Sequence, residues 1–208
     1  MFRRMPEQAE NAAEMPKLGR ERGCFQHLAR RLRHIELARE VLVELVAAHA
    51  AGRELGLDPA VIEAFGRVLT DPGLDGSFRA LALTLPDEIV IGQELEVIDP
   101  DAVHAARRFF VRALATAHRE RWLSTYRTLA DRSAPESASE AVDARRLKNR
   151  ALAYLVSLEE PETTALALRQ FERARNMTDA EAAVAALVGV ECRERELVLD
   201  AFYRRWKH

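Results

Sequence analysis

The chain of 208 residues is 48% hydrophobic and 31% charged, and its formal net charge is −2. This composition excludes a disordered chain and is typical of one globular domain, or of one domain with a tail. The small net charge argues against general attraction to nucleic acid or to an anionic membrane. No apolar run approaches the roughly 18 residues of a membrane span.

Residues 1–38 differ from the rest of the chain. From Met1 to His34, eight lysines and arginines and four acidic residues leave a net charge of +4. We interpret this region as a tail that is partly disordered or helical and leads into the first helix. A basic arm that binds nucleic acid is the alternative, but the region has few aromatic residues and no recognised binding motif.

The two cysteines, Cys24 and Cys192, lie far apart in the sequence and do not form a disulfide framework. The N-terminus is charged but lacks the apolar stretch of a secretion signal. Both features predict a reducing, cytoplasmic compartment.

Apolar residues at spacings of three, four and seven predict helices along almost the whole chain. The first helix begins near His27 and ends near Gly52 or Gly56, since glycine readily adopts the left-handed conformation that closes a helix. Asp58 followed by Pro59 predicts the next start, because the carboxylate accepts backbone N–H groups and proline there loses no helical hydrogen bond. Further helices are predicted over residues 77–85, 88–98, 99–130, 137–158, from 161, over 178–190 and from 193 to the end.

A strand is the alternative for residues 88–98, because Ile89, Val90 and Ile91 are β-branched. We favour a helix, since no second strand is evident for pairing. Residues 99–130 are predicted to form the longest helix, starting at another aspartate followed by proline. The charged face of that helix is predicted to be solvated and contains Arg107, Arg108, Arg112 and Arg119.

These segments predict an all-α fold, in which an irregular array of about eight helices stacks as helical hairpins and resembles a solenoid. No fixed sequence period is visible, so no repeat family with a recognisable signature is indicated. The aromatic residues fall at helical spacing with other apolar residues, which favours core packing over base stacking. They include Trp122, Tyr126, Tyr154, Tyr203 and Trp206.

Residues 176–179 are predicted to be a junction between two helices. Thr178 is expected to cap the second helix with Glu181 as its capping-box partner, and Met177 to begin a hydrophobic staple. Asp179 suits the positive end of the helix dipole. Capping is sufficient to explain these residues, so the junction is predicted to be structural, and losing Thr178 to cost about 1 kcal/mol.

None of the six histidines lies in an H-E-x-x-H motif, in which two histidines bind zinc from one helix face. Asp101 and His104 are spaced as half of a metal site, but a full site needs three or four ligands. There is no glycine-rich phosphate loop and no G-x-S-x-G elbow. Cys192 is interpreted as an unreactive helical residue. The sequence therefore predicts no catalytic, cofactor-binding or metal-ligating residue.

Five stretches, taken together and in order, carry a family resemblance. They are A-L-A-L-T-L-P at 80–86, V-I-D-P-D-A-V-H at 97–104, L-K-N-R-A-L-A-Y-L at 147–155, R-Q-F through N-M-T-D at 169–179, and F-Y-R-R-W-K at 202–207. This set resembles the C-terminal helical domain of bacterial aminopeptidase N, a zinc metallopeptidase of the gluzincin family. The resemblance covers residues 39–208, and residues 1–38 do not look like the family.

The resemblance implies a part of a cytoplasmic zinc exopeptidase that removes N-terminal residues from peptides. In that family the zinc and catalytic motifs lie upstream, and the helical domain covers the catalytic domain and helps to enclose the active-site chamber. This sequence lacks both H-E-x-x-H and the family's G-x-M-E-N motif. We therefore expect a fragment, from a truncated, split or misannotated gene, that binds no zinc, is inactive alone and has the catalytic domain as its partner.

A truncated helical array is expected to expose an apolar end, which predicts self-association through the faces of Val198, Phe202 and Trp206. No nucleic-acid or membrane partner is predicted. The alternative function is a stand-alone helical module without enzymatic activity, which binds a protein partner on a concave face.

Overall fold

A computed structural model describes residues 18–130 and 138–207 of the chain, with side chains from Arg33 onward. Across these ranges the chain forms ten α-helices and no strand, which confirms the all-α prediction and exceeds the expected count of about eight. The boundary predicted near Ala38 lies inside the first helix and stays a prediction, and residues 1–17 of the predicted tail lie outside the described residues. The helices are α1 (Leu18–Ala50), α2 (Pro59–Thr70), α3 (Gly76–Ala82), α4 (Glu88–Gly92), α5 (Pro100–Ala117), α6 (Arg119–Ala130), α7 (Ser139–Val156), α8 (Pro161–Arg173), α9 (Met177–Val188) and α10 (Glu194–Trp206).

Local capping signals set several helix ends. The Asp58 carboxylate accepts the Ala60 backbone N–H at 2.7 Å, and Asp99 accepts the first two free N–H groups of α5, each at 3.1 Å. Proline follows both aspartates as the first helical residue. After α1, Gly52 has φ of 65°, in the left-handed region that glycine adopts without strain. The predicted starts of α2 and α5 and the predicted end of α1 are confirmed.

Residues 88–98 form a helix only over their first half. Helix α4 spans Glu88–Gly92, and the Asp87 carboxylate accepts the Val90 backbone N–H at 2.8 Å at its start. Turns and bends follow as far as the start of α5. The strand alternative for this segment is wrong, and the helix is confirmed in a shorter form.

The predicted long helix over residues 99–130 is two helices, because α5 ends at Ala117 and α6 begins at Arg119. Between them, His118 has φ of −118° and ψ of 23°. Its buried ring places Nε2 2.8 Å from the Ile62 carbonyl oxygen of α2. The single-helix prediction is wrong, because a contact with a helix distant in sequence holds the junction residue out of helical geometry. The longest helix is instead α1, with 33 residues.

Helix α7 lies at the centre of the array and packs against α3, α5, α6, α8 and α9. Near its end the Tyr154 ring stacks on the Trp122 ring of α6, with 4.3 Å between the ring centroids. The Tyr154 hydroxyl donates a hydrogen bond to the Leu83 carbonyl oxygen at 2.8 Å, so the buried tyrosine is satisfied. The predicted core packing is confirmed for Trp122, Tyr126 and Tyr154. It is wrong for Tyr203, which is 66% exposed.

Candidate functional site

The half metal site of Asp101 and His104 gains no further ligand. Asp101 is exposed in the first turn of α5, and His104 Nδ1 lies 2.8 Å from Glu88 Oε1. Across residues 18–130 and 138–207, no three His, Cys, Asp or Glu side chains are placed to hold a metal ion. These described residues therefore do not fit the zinc that the resemblance to aminopeptidase N implies.

The sequence predicted Cys192 to be a helical residue, but it lies in the link between α9 and α10. It is a free, half-buried cysteine whose Sγ lies 3.7 Å from the Leu187 carbonyl oxygen. Burial raises the pKa of the thiol. A protonated thiol is a weak nucleophile, so the structure supports the interpretation of Cys192 as unreactive.

The junction between α8 and α9 is capped by a different residue from the one predicted. Helix α9 begins at Met177, and the Asn176 side-chain oxygen accepts the Asp179 backbone N–H at 2.9 Å. Thr178 is exposed and lies within the first turn, and Met177 is also exposed. The predicted capping box and hydrophobic staple are wrong, because α9 begins before Thr178 and Asn176 is its N-cap.

Behind this cap lies a buried polar network that joins α7, α8 and α9. Lys148 Nζ of α7 lies 2.8 Å from Asp179 Oδ2 of α9, and the two side chains are only 12% and 11% exposed. Gln170 of α8 donates to the Asn149 side-chain oxygen at 2.8 Å and to the Asp179 carbonyl at 3.0 Å. Since every member bonds another helix of the fold, the junction is structural, as the sequence predicted.

The arginines of α5 and α6 bind acidic residues around the start of α8. Arg119 is within 3.0 Å of both Glu160 and Glu162, and Arg108 forms an ion pair with Glu159. The predicted solvated face is confirmed for Arg108 and Arg112, which are exposed, and is wrong for Arg119, whose side chain is only 29% exposed. Exposed ion pairs of this kind contribute little to the free energy of unfolding.

A cleft of about 220 Å³ lies where α4, α5, α7 and α9 meet, and two of its arginines form no ion pair with the acidic residues that the structure describes. Arg107 of α5 donates through Nε to the Pro86 carbonyl oxygen at 2.9 Å. Arg150 of α7 has a buried Nε with no hydrogen-bond partner among the described residues. The other residues lining the cleft are Leu85, Glu88, His104, Arg108, Val111, Ala153, Tyr154, Ser157, Glu159, Ala185, Ala186, Gly189 and Val190.

Sequence analysis missed Arg150 as a candidate site residue. The sequence feature that indicates a partly buried Arg150 is its position on a helix turn between Leu147 and Ala151, which are both buried. Burial lowers the pKa of the Arg150 guanidinium, and the nearby charge of Arg107 lowers that pKa further. A guanidinium in this environment stays charged, because its ordinary pKa lies above 12.

A second cleft, of about 400 Å³, lies between α1, α2 and α3. It is lined by His34, whose ring centroid lies 4.9 Å from that of Phe65 and whose Nε2 is buried without a partner among the described residues. Burial lowers the pKa of His34 from 6.5, and the charge of Arg67 lowers it further. The imidazole is therefore neutral at physiological pH.

Large apolar side chains are exposed singly at Leu81 and Met177 and together in two clusters, and neither cluster is the predicted end face. On α10, Val198 is 1% exposed and Phe202 and Trp206 pack against the core, so the face predicted for self-association points inward. None of the described helices combines the length and the apolarity that crossing a bilayer requires. The two exposed apolar clusters consist of Leu197, Leu199 and Tyr203 on α10, and of Ile89, Val90, Val97 and Ile98 at and after α4.

Helices that pack in succession around the central helix α7 define an α-helical repeat domain. Residues 29–208 match the family described as "Domain of unknown function (DUF3458_C) ARM repeats". The match spans most of the sequence, so the chain belongs to this family of ARM-repeat domains.

The matched relatives are bacterial aminopeptidases. The chain is 32% identical over 161 residues to aminopeptidase N of Escherichia coli (strain K12), which covers 77% of this chain and 18% of the relative. It is 30% identical over 171 residues to aminopeptidase N of Caulobacter vibrioides, which covers 82% of this chain and 20% of the relative. The chain thus spans about a fifth of the length of these relatives.

The fold is also found within a solved structure, that of Legionella pneumophila aminopeptidase A in complex with aspartic acid. The superposition has a TM-score of 0.71 at 22% sequence identity and covers 84% of this chain and 21% of the other. The helical array is therefore shared with one part of a much larger aminopeptidase chain.

Proposed function

We propose that this chain is the non-catalytic C-terminal helical domain of an aminopeptidase N-like zinc metallopeptidase. The observation that carries the proposal is the family match over residues 29–208, together with relatives named aminopeptidase N that align over 18% and 20% of their lengths. The sequence contains no H-E-x-x-H motif, so zinc chemistry would come from a separate catalytic domain.

In this proposal the domain binds the catalytic domain and helps to enclose the chamber in which peptides lose their N-terminal residues. Exposed apolar side chains at α4 and on α10 support such a contact, because patches of this kind mark interaction surfaces. Val97, which is 84% exposed, is the side chain that a partner would bury most. The cytoplasmic location remains an expectation from the sequence.

The catalytic part of the proposal is tested on the purified chain with an alanyl-anilide substrate and added zinc. We expect no turnover above buffer, while Escherichia coli aminopeptidase N, assayed in parallel, hydrolyses the substrate. Zinc-dependent turnover that follows the chain through two chromatography steps and disappears with a chelator would overturn the proposal.

The domain role is tested first on the neighbouring DNA and then on protein. We expect a reading frame upstream that encodes H-E-x-x-H. Its product, co-expressed with this chain, is expected to form a one-to-one complex by light scattering. Val97→Glu should weaken that complex, and Lys207→Glu, at an exposed position beyond α10, is the matched control.

A stand-alone protein-interaction module is the second candidate, favoured by the exposed Leu197, Leu199 and Tyr203 on α10. An isolated gene in a genome whose aminopeptidase N already has its own complete helical domain would favour this candidate over the first. Self-association is measured in the same light-scattering experiment, where a monomer at high concentration would contradict the prediction of self-association.

A further inference from the structure

We propose that the cleft between α4, α5, α7 and α9 binds a small carboxylate ligand with an apolar tail, held by the guanidinium groups of Arg107 and Arg150. This inference does not depend on the proposed function, because it concerns side chains of the chain alone. The site is hereafter called the arginine cleft.

The first argument is the charge balance inside the arginine cleft. Two of its lining residues are acidic, and each has a basic partner: Glu88 contacts His104 at 2.8 Å, and Glu159 forms an ion pair with Arg108. Among the described residues, no carboxylate lies within ion-pair distance of Arg107 or Arg150. With histidine counted as neutral, the three arginines and two glutamates that line the cleft leave one net positive charge.

The second argument is burial. The Arg150 Nε is inaccessible to solvent and has no hydrogen-bond partner among the described residues, although buried polar groups in proteins are nearly always satisfied. The Tyr154 hydroxyl donates to the Leu83 carbonyl oxygen, and it is not a hydrogen-bond partner of the Arg150 Nε. Arg150 as a whole is only partly buried, so the cost falls on this Nε, and an anion bound to the same guanidinium would offset that cost.

The third argument concerns which anion fits. A guanidinium presents its N–H groups in a planar fork that matches the two oxygens of a carboxylate. Arg107 already uses its Nε on Pro86, which leaves its terminal nitrogens for a ligand. Part of the remaining wall is apolar and can contact a hydrocarbon tail, while polar side chains, among them Glu88, Ser157 and Glu159, line the rest. The apolar part is formed by Leu85, Val111, Ala153, Ala185, Ala186 and Val190.

The fourth argument is size. The 220 Å³ of the cleft corresponds to about seven water molecules at ~30 Å³ each. This is below the range of about 300–1,000 Å³ that is usual for larger ligands. A branched short-chain acid such as isovalerate is of suitable size, whereas a nucleotide is not.

The test uses isothermal titration of the full chain with isovalerate, and with isovaleramide as a probe of nearly the same shape without the charge. We expect isovalerate to bind and isovaleramide to bind at least about 10-fold more weakly, since hydrogen bonds to charged groups are the strong ones. Equal binding of the two would reduce the site to an apolar cavity and overturn the proposal. Inorganic phosphate that binds as well as isovalerate would overturn the assignment to a carboxylate.

Two variants locate the binding. Arg150→Met keeps the length of the side chain without its charge and is expected to weaken isovalerate binding by about 10- to 100-fold. Arg112→Met is the control, because Arg112 is an exposed arginine of α5 that does not line the cleft. Retention of full affinity by a folded Arg150→Met protein, or equal loss in both variants, would contradict the site. Circular dichroism and the urea midpoint show whether each variant is folded.

Discussion

Two positive side chains on the same helix, Lys148 and Arg150, lie in contrasting surroundings. Lys148 is 12% exposed and contacts Asp179 at 2.8 Å within a network that joins three helices. Arg150 is two residues further along, has a buried Nε and has no acidic partner among the described residues. Burial of a charged group therefore does not by itself indicate its role. A group with an ion-pair partner stabilises the fold, whereas a group without one is available to bind a ligand.

The physical reason is the cost of removing an ion from water. A nearby opposite charge with good hydrogen bonds offsets most of that cost, and an unpaired charge bears it in full. Lys148 thus stabilises the native structure, whereas we expect Arg150 to lower the free energy of unfolding when no anion is bound. Four predictions test this contrast, from the largest expected effect to the smallest.

Lys148→Met is expected to lower the free energy of unfolding by about 3–5 kcal/mol, because it leaves the Asp179 carboxylate buried without its cation. The measurement is urea denaturation followed by circular dichroism. Lys207→Met, at an exposed position, is the control and should change stability by less than about 0.5 kcal/mol. Addition of Asp179→Ala to Lys148→Met should recover part of the loss, and strictly additive losses would show that the pair is not coupled.

Asn176→Ala is expected to lower the free energy of unfolding by about 1 kcal/mol, because α9 loses the side chain that accepts the Asp179 N–H. Thr178→Ala is the matched control, two residues away and exposed, and should cost less than about 0.5 kcal/mol. Both are read from urea midpoints. The reverse order of the two losses would restore Thr178 as the cap.

Arg150→Met is expected to act in the opposite direction to Lys148→Met and to raise the free energy of unfolding by up to about 1 kcal/mol. The reason is that the substitution removes a buried charge without leaving another unpaired. Thermal unfolding without added carboxylate provides the measurement. Loss of stability on the scale of Lys148→Met would mean that Arg150 has a structural partner after all.

His34 extends the comparison to a buried group that is neutral. Its folded-state pKa is lowered from 6.5, so at acid pH the unfolded chain binds a proton that the folded chain does not. The stability that this pKa difference supplies is complete above pH 6.5 and is lost as the pH falls below it. His34→Gln should therefore lose less stability than the unmodified chain between about pH 7.5 and pH 5.5. His49→Gln, at an exposed position, is the control for the substitution itself.

Much of the fold could be predicted because its signals are local. Asp58 and Asp99 satisfy backbone groups within three residues of themselves, so the chain around them suffices to place a helix start. The cap residue of α9 was predicted wrongly for another reason. Asn176 and Thr178 are both good capping residues, so the local sequence does not show which of them begins the helix. The buried pairing of Asp179 with Lys148, 31 residues away, accompanies the choice of Asn176.

The remaining errors all depend on contacts between distant residues. The split at His118 involves the Ile62 carbonyl oxygen, 56 residues earlier in the chain. The apolar face of α10 that contains Val198 packs inward, and its sequence does not show whether other helices cover it. Arg150 was not recognised because an arginine on a helix is usually solvated, and only the assembled cleft shows that no described carboxylate lies within ion-pair distance of it.

The close contact at the bend between α5 and α6 has a consequence for the evolution of this fold. A Cβ atom at Gly66 would lie 2.5 Å from His118 Cε1 and 2.7 Å from its Nε2, and the ring is held by its bond to the Ile62 carbonyl. A side chain at position 66 therefore cannot be accommodated while the His118 ring keeps this place. In related sequences we expect the two positions to covary, so that a side chain at position 66 occurs with a residue smaller than histidine at position 118.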